Sequence, residues 1–295
     1  MSATDTWLHV KEVWGESSDK EGGAAAAKTT WKPKRLELMA FDGYAAYVGT
    51  RSLSARGRWM AGIYKDLDDA TFSSFLSTMH RIPDSAIYPL LEEGLTQFDP
   101  GSVEGKEEGR YFLKSPSAAE WKGGDDTAVA DLFLAEARTH QQFLATPHPH
   151  LGAYVGCVVH EGRIVRLAFP RYVESLYERV ERMRPGTAAA AEERMGPEER
   201  RACMRAVGAA VAHLHRLGYA HNDVSATNIM FDAEGGAVLI DLDSCTPMGE
   251  HIKKGGVVGG WRGPMFSGRE FKISSVECDE VSLRYIDDWL SGKQK

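Results

Sequence analysis

Three polar side chains are spaced in a way that suits chemistry on a phosphate group. Asp223 and Asn228 lie five residues apart in the segment HNDVSATN, and Asp241 follows Asn228 by thirteen residues, after the apolar run AVLI. A carboxylate, an amide and a second carboxylate offer hard oxygen ligands of the kind that Mg²⁺ uses together with substrate phosphates. Phosphoryl transfer needs such ligands, a carboxylate that accepts a hydroxyl proton, and a cation on the remaining phosphates.

HNDVSATN followed by IDLD resembles the catalytic loop and metal-binding motif of the protein-kinase-like superfamily, and both spacings equal those usual there. The resemblance implies an ATP- and Mg²⁺-dependent enzyme in which Asp223 is the catalytic base. It makes Asn228 a Mg²⁺ ligand and Asp241 the principal one. The alternative is an ordinary loop with a turn aspartate and a capping asparagine.

The same resemblance predicts a strand lysine paired with a helix glutamate upstream. Lys114 lies in the strand-like segment YFLK. Glu136 falls on the apolar face of a predicted helix, where an unpaired charge would be very costly. The resemblance implies an ion pair between them, with Lys114 on the α- and β-phosphates. A surface lysine and a glutamate at the edge of the apolar face are the alternative.

Two further assignments follow from the resemblance alone. The adenine-binding hinge would lie at Pro170 to Tyr172, so Phe169, Arg171 and Tyr172 are candidate nucleotide-binding residues. Asp279 resembles the helix aspartate that anchors the catalytic loop in kinases. An acidic residue at a helix start is also explained by the helix dipole.

Several departures from the kinase pattern are visible. The glycine-rich phosphate loop is absent, and the acidic segment GSVEGKEEG stands in its place. Asn222 replaces the usual arginine, Ser225 replaces a lysine, and no APE motif follows. These features are similar to minimal, atypical RIO-type kinases and to fungal kinase-like domains. IDLD is also similar to the metal motif of aminoglycoside- and choline-type phosphotransferases.

The elements that must position these residues can be read from turn, cap and periodicity signals. Asp42-Gly43 between two apolar runs predicts a tight hairpin. DLDDATFSSFLSTMHRI predicts a helix with Asp68 or Asp69 as N-cap. Pro197 and Gly218 mark the ends of another helix.

The predicted fold class is α+β, a two-lobed protein-kinase-like fold with a β-rich N-lobe and a shortened helical C-lobe. Residues 1–80 would be an N-terminal hairpin and helix extension of unknown role. Residues 81–170 would form the N-lobe, and residues 171–295 a truncated C-lobe. The segment KKGGVVGGWRGP is interpreted as an activation segment that touches the acceptor, or as a plain surface loop.

Composition narrows the function classes. The 295 residues carry a net charge of -7, which argues against nucleic acid as the main partner. The sequence shows no membrane-length apolar run and no secretory signal, and its four cysteines are far apart, so we expect a cytoplasmic protein, with the nucleus as an alternative. The expected partners are a nucleotide and a hydroxyl-bearing acceptor.

The predicted activity is transfer of the ATP γ-phosphate to a hydroxyl, first of all to Ser or Thr on a protein. A small-molecule kinase of the aminoglycoside or choline type is the alternative, favoured by IDLD. A pseudokinase that only binds a partner is the third possibility, because the glycine-rich loop is missing.

Overall fold

A computed structural model describes residues 6–17, 30–52, 62–64, 67–102, 109–124, 126–183, 195–262 and 268–293. Its fold is α+β and two-lobed, as in protein kinases, with a β-rich N-terminal part followed by helices. The strands are β1 (Trp7–Ser17), β2 (Thr30–Asp42), β3 (Ala45–Arg51), β4 (Gly62–Tyr64), β5 (His80–Arg81), β6 (Tyr111–Lys114), β7 (Gly156–His160), β8 (Arg163–Pro170), β9 (Glu174–Ser175), β10 (Tyr219–Ala220), β11 (Ile229–Phe231), β12 (Ala237–Leu239) and β13 (Thr246–Pro247). The helices are α1 (Asp69–Leu76), α2 (Asp84–Ile87), α3 (Ala128–Phe143), α4 (Leu176–Met183), α5 (Pro197–Arg216) and α6 (Val276–Leu290).

The first sheet is antiparallel, with strand order β4-β1-β2-β3-β5. The predicted hairpin is confirmed, since Asp42 pairs with Ala45 across a two-residue loop. Gly43 opens that loop with φ 58°, the conformation that a type II′ turn assigns to glycine. Asp68 caps α1 as predicted, and its side chain accepts the Thr71 N–H.

Helix α1 ends at Leu76, earlier than its sequence pattern suggested. His80 and Arg81 instead pair with Val48 and Tyr47 as the edge strand β5, so the backbone there forms a ladder rather than helical bonds.

Side-chain alternation gives this sheet two buried faces. Leu8 and Ala40 lie opposite each other and pack with Phe72 of α1 on one face. Phe41 is on the other face, in a hydrophobic cluster that also contains Val165 of β8. The sheet is therefore packed directly onto the second, three-stranded sheet, whose strand order is β6-β8-β7.

Helix α3 covers the second sheet with its apolar face. Phe133 and Ala137 pack with Leu167 of β8, and Glu136 lies on the same buried side of the helix. Lys114, at the end of β6, pairs with Leu167 in the sheet. The sheet and the helix thus bring the predicted lysine and glutamate together.

The C-lobe core lies between α4, α5, α6 and the β11–β12 hairpin. Val207, Val211 and Leu214, the predicted apolar face of α5, are all buried. Pro197 begins the helix and Gly218 follows its end with φ 88°, as the sequence indicated.

The four cysteines are buried and unpaired. Among the described residues, no helix combines the length and the apolarity needed to cross a bilayer. Most of the acidic segment GSVEGKEEG, residues 103–108, lies outside the described residues.

Candidate active site

The loop that contains Asp223 is fixed from below by a buried carboxylate. Asp279 of α6 is 0% exposed. Its Oδ2 accepts the His221 backbone N–H at 2.8 Å, and its Oδ1 accepts the Asn222 backbone N–H at 2.8 Å. The Nε2 of His215, near the end of α5, lies 2.9 Å from the same Oδ2. The expected contact between Asp279 and the loop is therefore present, and it joins two helices to the loop.

Asn222, which stands in the place of the usual arginine, serves as a clamp inside the loop. Its φ of 62° lies in the left-handed region, which asparagine tolerates better than most residues. Its buried Nδ2 lies 2.9 Å from the Ala220 carbonyl, 3.1 Å from the Ser244 carbonyl and 3.1 Å from the Ser274 Oγ. The side chain is thus used within the protein and holds the Asp223 loop to two later segments.

Asp223 and Asn228 contact each other directly. The Asn228 Nδ2 lies 3.0 Å from both the carbonyl oxygen and the Oδ2 of Asp223. Burial raises the pKa of the Asp223 carboxyl, and Asp241 and Asp243 raise it further, against the opposing effect of His221. A carboxylate with a raised pKa holds a proton better, which suits a general base.

The thirteen-residue spacing from Asn228 to Asp241 corresponds to one β-hairpin. Ile229 of β11 pairs with Leu239 of β12, and the Ile240 N–H donates to the Asn228 carbonyl at 2.8 Å. Asn228 and Asp241 therefore flank the open end of the hairpin. Asp241 has φ 66° and ψ 75°, a left-handed conformation that is costly for a residue other than glycine.

Lys114 connects the two lobes. Its ammonium lies 2.7 Å from the Glu136 Oε1 and 2.6 Å from the Asp241 Oδ1. Glu136 is 6% exposed, so the pair with Lys114 satisfies a charge that would otherwise be buried alone. Burial by itself would lower the pKa of Lys114, but Glu136, Asp241 and Asp243 hold it above its ordinary value. The ion pair predicted from the sequence is present.

Asp243 and Lys254 are part of this site, although the sequence analysis assigned neither of them a role at the phosphates. The Asp243 Oδ2 lies 3.7 Å from the Lys114 ammonium, and the same oxygen bonds to the ammonium of Lys254. The available signal was the second carboxylate in IDLD, two residues after Asp241. Its partner Lys254 lies eleven residues further on, in the segment KKGGVVGGWRGP that was interpreted as an activation segment or a plain surface loop.

The three candidate hinge residues have different surroundings. The Phe169 ring packs edge-on against His140, with centroids 4.8 Å apart. The Arg171 guanidinium donates to the Gly109 carbonyl at 2.6 Å and to the Tyr111 carbonyl at 3.0 Å. The Tyr172 hydroxyl lies 3.4 Å from the backbone nitrogen of Ala153. Arg171 thus holds the end of the segment GSVEGKEEG, and Phe169 packs towards the helix that carries Glu136.

Trp261, in the segment KKGGVVGGWRGP, is placed in the aromatic packing of the C-lobe. Its ring lies edge-on to Trp289 at 4.8 Å and to Tyr177 at 5.9 Å. Its side chain therefore contributes to the fold of the C-lobe.

The donor set fits a magnesium ion shared with a substrate. Among the described residues, no cluster of three or more His, Cys, Asp or Glu could hold a metal by itself. Mg²⁺ does not require such a cage, because it binds through one or two carboxylates together with phosphate oxygens and water. Asp241 and Asn228 supply a carboxylate and an amide oxygen at adjacent ends of one hairpin.

Comparison with known proteins identifies similar kinases. Residues 174–253, which contain Asp223, Asn228 and Asp241, match the model of the lipopolysaccharide kinase (Kdo/WaaP) family. The chain is 32% identical over 141 residues to a 3-deoxy-D-manno-octulosonic acid kinase from Xanthomonas axonopodis pv. citri (strain 306), covering 45% of this chain and 51% of the relative. It is 30% identical over 142 residues to the enzyme of the same name from Stenotrophomonas maltophilia (strain K279a), again covering 45% and 51%.

The chain thus spans about half the length of the curated relatives it matches. The similarity supports the protein-kinase-like interpretation. The narrower resemblance to RIO-type and fungal kinases is not confirmed, because the matches are to bacterial kinases with a sugar acid in their name. The nuclear alternative likewise finds no support in bacterial relatives.

Proposed function

We propose that this chain is an ATP- and Mg²⁺-dependent phosphotransferase that phosphorylates a hydroxyl group of a sugar acid or a glycoconjugate containing one. The observation that carries the proposal is the Lys114 ammonium, which lies 2.7 Å from Glu136 of one lobe and 2.6 Å from Asp241 of the other. The same site contains Asp223 and Asn228 in mutual contact. A cation, a base and two oxygen ligands are the side chains that phosphoryl transfer needs.

Each side chain has a separate role in this proposal. Lys114, held by Glu136, binds the α- and β-phosphates of ATP. Asp241 and Asn228 would hold Mg²⁺, which would neutralise charge on the phosphate oxygens. Asp223 orients the acceptor hydroxyl and takes its proton.

The chemical step is a direct transfer. The acceptor oxygen forms a bond to the γ-phosphorus while the bond from that phosphorus to the β,γ-bridging oxygen breaks, and ADP leaves with the electron pair. The hydroxyl proton passes to the Asp223 carboxylate. A raised pKa at Asp223 favours this proton transfer.

The proposed acceptor differs from the one first predicted from the sequence. Ser or Thr on a protein was the first expectation, but the similar proteins are named for a sugar acid. We therefore adopt the former alternative, a small-molecule kinase. The four buried, unpaired thiols and the need for ATP favour a reducing compartment such as the cytoplasm.

Mass spectrometry of acceptor pools tests this proposal. Incubation with Mg·ATP and 3-deoxy-D-manno-octulosonic acid, free or in glycoconjugates, is expected to add about 80 Da, one phosphoryl group. A protein pool is run in parallel. Phosphorylation of proteins alone would contradict the proposed acceptor class, and Mg·ATP binding without any transfer would favour a pseudokinase.

Variants separate the proposed roles. Asp223→Asn is expected to lower the transfer rate by about 10²–10⁴-fold while ATP affinity stays near that of the wild type. Asp241→Asn is expected to abolish the Mg²⁺ dependence of nucleotide binding, measured by calorimetry with and without Mg²⁺. Glu234→Gln, at an exposed position in the turn of the β11–β12 hairpin, is the control and should change neither quantity. Wild-type rates in Asp223→Asn would refute the assigned base.

A further inference from the structure

A second lysine reaches the carboxylates of the site from the segment after Asp241. The Lys254 ammonium bonds to the Asp243 Oδ2, the same oxygen that lies 3.7 Å from the Lys114 ammonium. Asp243 is 10% exposed whereas Lys254 is 49% exposed. Two ammonium groups therefore converge on one nearly buried carboxylate, and the outer ammonium remains open to solvent on one side.

The backbone beside Lys254 is fixed to the catalytic loop. Gly255 has φ 83°, and a Cβ at that position would lie 2.8 Å from the Asn222 carbonyl oxygen. The Gly256 N–H donates to the same oxygen at 2.7 Å. Because Asn222 directly precedes Asp223, these contacts fix the position of the segment carrying Lys254 relative to the proposed base. This close approach requires glycine at position 255.

The catalytic loop HNDVSATN contains no lysine or arginine for the reacting phosphate. Ser225, at the place where the kinase resemblance would put a lysine, is 3% exposed. Its Oγ lies 2.9 Å from the Thr227 hydroxyl and 3.2 Å from the Asn228 backbone nitrogen. Ser225 is therefore used inside the loop. During transfer the phosphoryl group carries negative charge on its non-bridging oxygens, and a positioned cation stabilises that charge.

We propose that Lys254 supplies this cation and binds the phosphoryl group that is transferred, with Asp243 as the residue that positions it. The inference rests on the proposed function and adds a catalytic residue to it. As the acceptor oxygen bonds to the γ-phosphorus and the bond to the β,γ-bridging oxygen breaks, the Lys254 ammonium contacts a non-bridging oxygen. Its proton stays on nitrogen, ADP leaves with the electron pair, and the hydroxyl proton goes to Asp223.

Nucleotide affinities of the full chain test this role, because they do not require a known acceptor. Lys254→Met removes the charge and keeps the length of the side chain. Its affinity for Mg·ADP should stay within about twofold of the wild type, whereas its affinity for a non-hydrolysable Mg·ATP analogue should fall about 10- to 100-fold, the loss of one charge-assisted hydrogen bond. The single-turnover rate of Mg·ATP cleavage should fall about 10²–10³-fold.

Two further variants serve as controls. Lys254→Arg keeps the charge and should restore most of the affinity for the analogue. Lys253→Met changes the adjacent exposed lysine and should match the wild type in all three measurements. If Lys254→Met does not fold, Lys254→Gln, which can still bond to Asp243, replaces it.

Each other outcome overturns the inference in a recognisable way. Equal losses of ADP and analogue affinity would mean that Lys254 only neutralises Asp243. Wild-type values throughout would mean that it is a surface ion pair. If the wild type binds neither nucleotide, the proposed function fails and the inference fails with it.

Discussion

Asp279→Ala removes the carboxylate that holds the Asp223 loop in place. Three donors lose their acceptor: the backbone N–H groups of His221 and Asn222, and the ring Nε2 of His215, all within 2.9 Å. Asn222 also loses support for its left-handed backbone, with φ 62°. The change therefore affects both the stability of the C-lobe and the position of Asp223.

The expected loss follows from the burial of these groups. A hydrogen bond to a charged group contributes about 1.5–3 kcal/mol, and a buried donor left without a partner costs about 1–3 kcal/mol. Because the three bonds share one carboxylate they are not additive, and we expect a loss of about 3–5 kcal/mol, as for a broken buried ion pair. At about 2–4 °C per kcal/mol, the melting temperature should fall by about 6–20 °C.

Thermal unfolding measures the stability, and amide hydrogen exchange reports the protection of the His221 and Asn222 N–H groups. Glu280→Ala is the matched control, because Glu280 is the next residue on α6, is exposed, and lies 3.8 Å from the Arg284 guanidinium in a surface ion pair. Such a pair contributes about 0.2–0.5 kcal/mol, so the melting temperature of the Glu280→Ala variant should fall by less than about 2 °C. If Asp279→Ala melts like Glu280→Ala and keeps both amides protected, Asp279 does not anchor the loop.

Burial alone would raise the pKa of Glu136, but Lys114 beside it lowers that pKa below its ordinary value of 4.5. The ionised Glu136 carboxylate therefore stabilises the fold fully above pH 4.5, and this stabilisation is lost as the pH falls through the lowered pKa. The difference in unfolding free energy between the wild type and Glu136→Gln should therefore narrow in acid. A gap that is constant between pH 7 and 3 in denaturant titrations would contradict this. Gly255→Ala should lower the free energy of unfolding by at least about 1 kcal/mol more than Gly249→Ala does. Both glycines have positive φ, but only a Cβ at position 255 would meet a backbone atom, the Asn222 carbonyl oxygen. Equal losses of unfolding free energy in urea titrations would show that the backbone at Asn222 shifts to accommodate the added Cβ.

The features read correctly from the sequence are those whose geometry is local. The Asp42-Gly43 hairpin and the Asp68 cap depend on residues at most a few positions apart. The spacing of Asn228 and Asp241 is the length of one hairpin, so it was visible as a number of residues. The end of α1 was predicted wrongly, because pairing of His80 with a distant strand competed with helical bonds.

The acceptor class could not be read from the site motif. In the proposed mechanism Asn228 acts on the phosphates and Asp223 on a hydroxyl, which are groups common to all kinase reactions, so neither residue identifies the rest of the acceptor molecule. Ser225 was already uninformative in the sequence, and in the structure it bonds within its own loop. The similar proteins, which are named for a sugar acid, favour the small-molecule alternative over the protein acceptor.

The sequence by itself determined the types and local spacing of the oxygen-bearing side chains around Asp223, because short loops and hairpins impose short, countable separations. Only the tertiary structure decided which charges meet across long separations. Lys114 and Asp241 are 127 residues apart and lie 2.6 Å from each other. Tertiary packing also brings Asp243 to Lys254 and buries Asp279 beneath the Asp223 loop. These contacts depend on how helices and sheets pack and not on any interval along the chain.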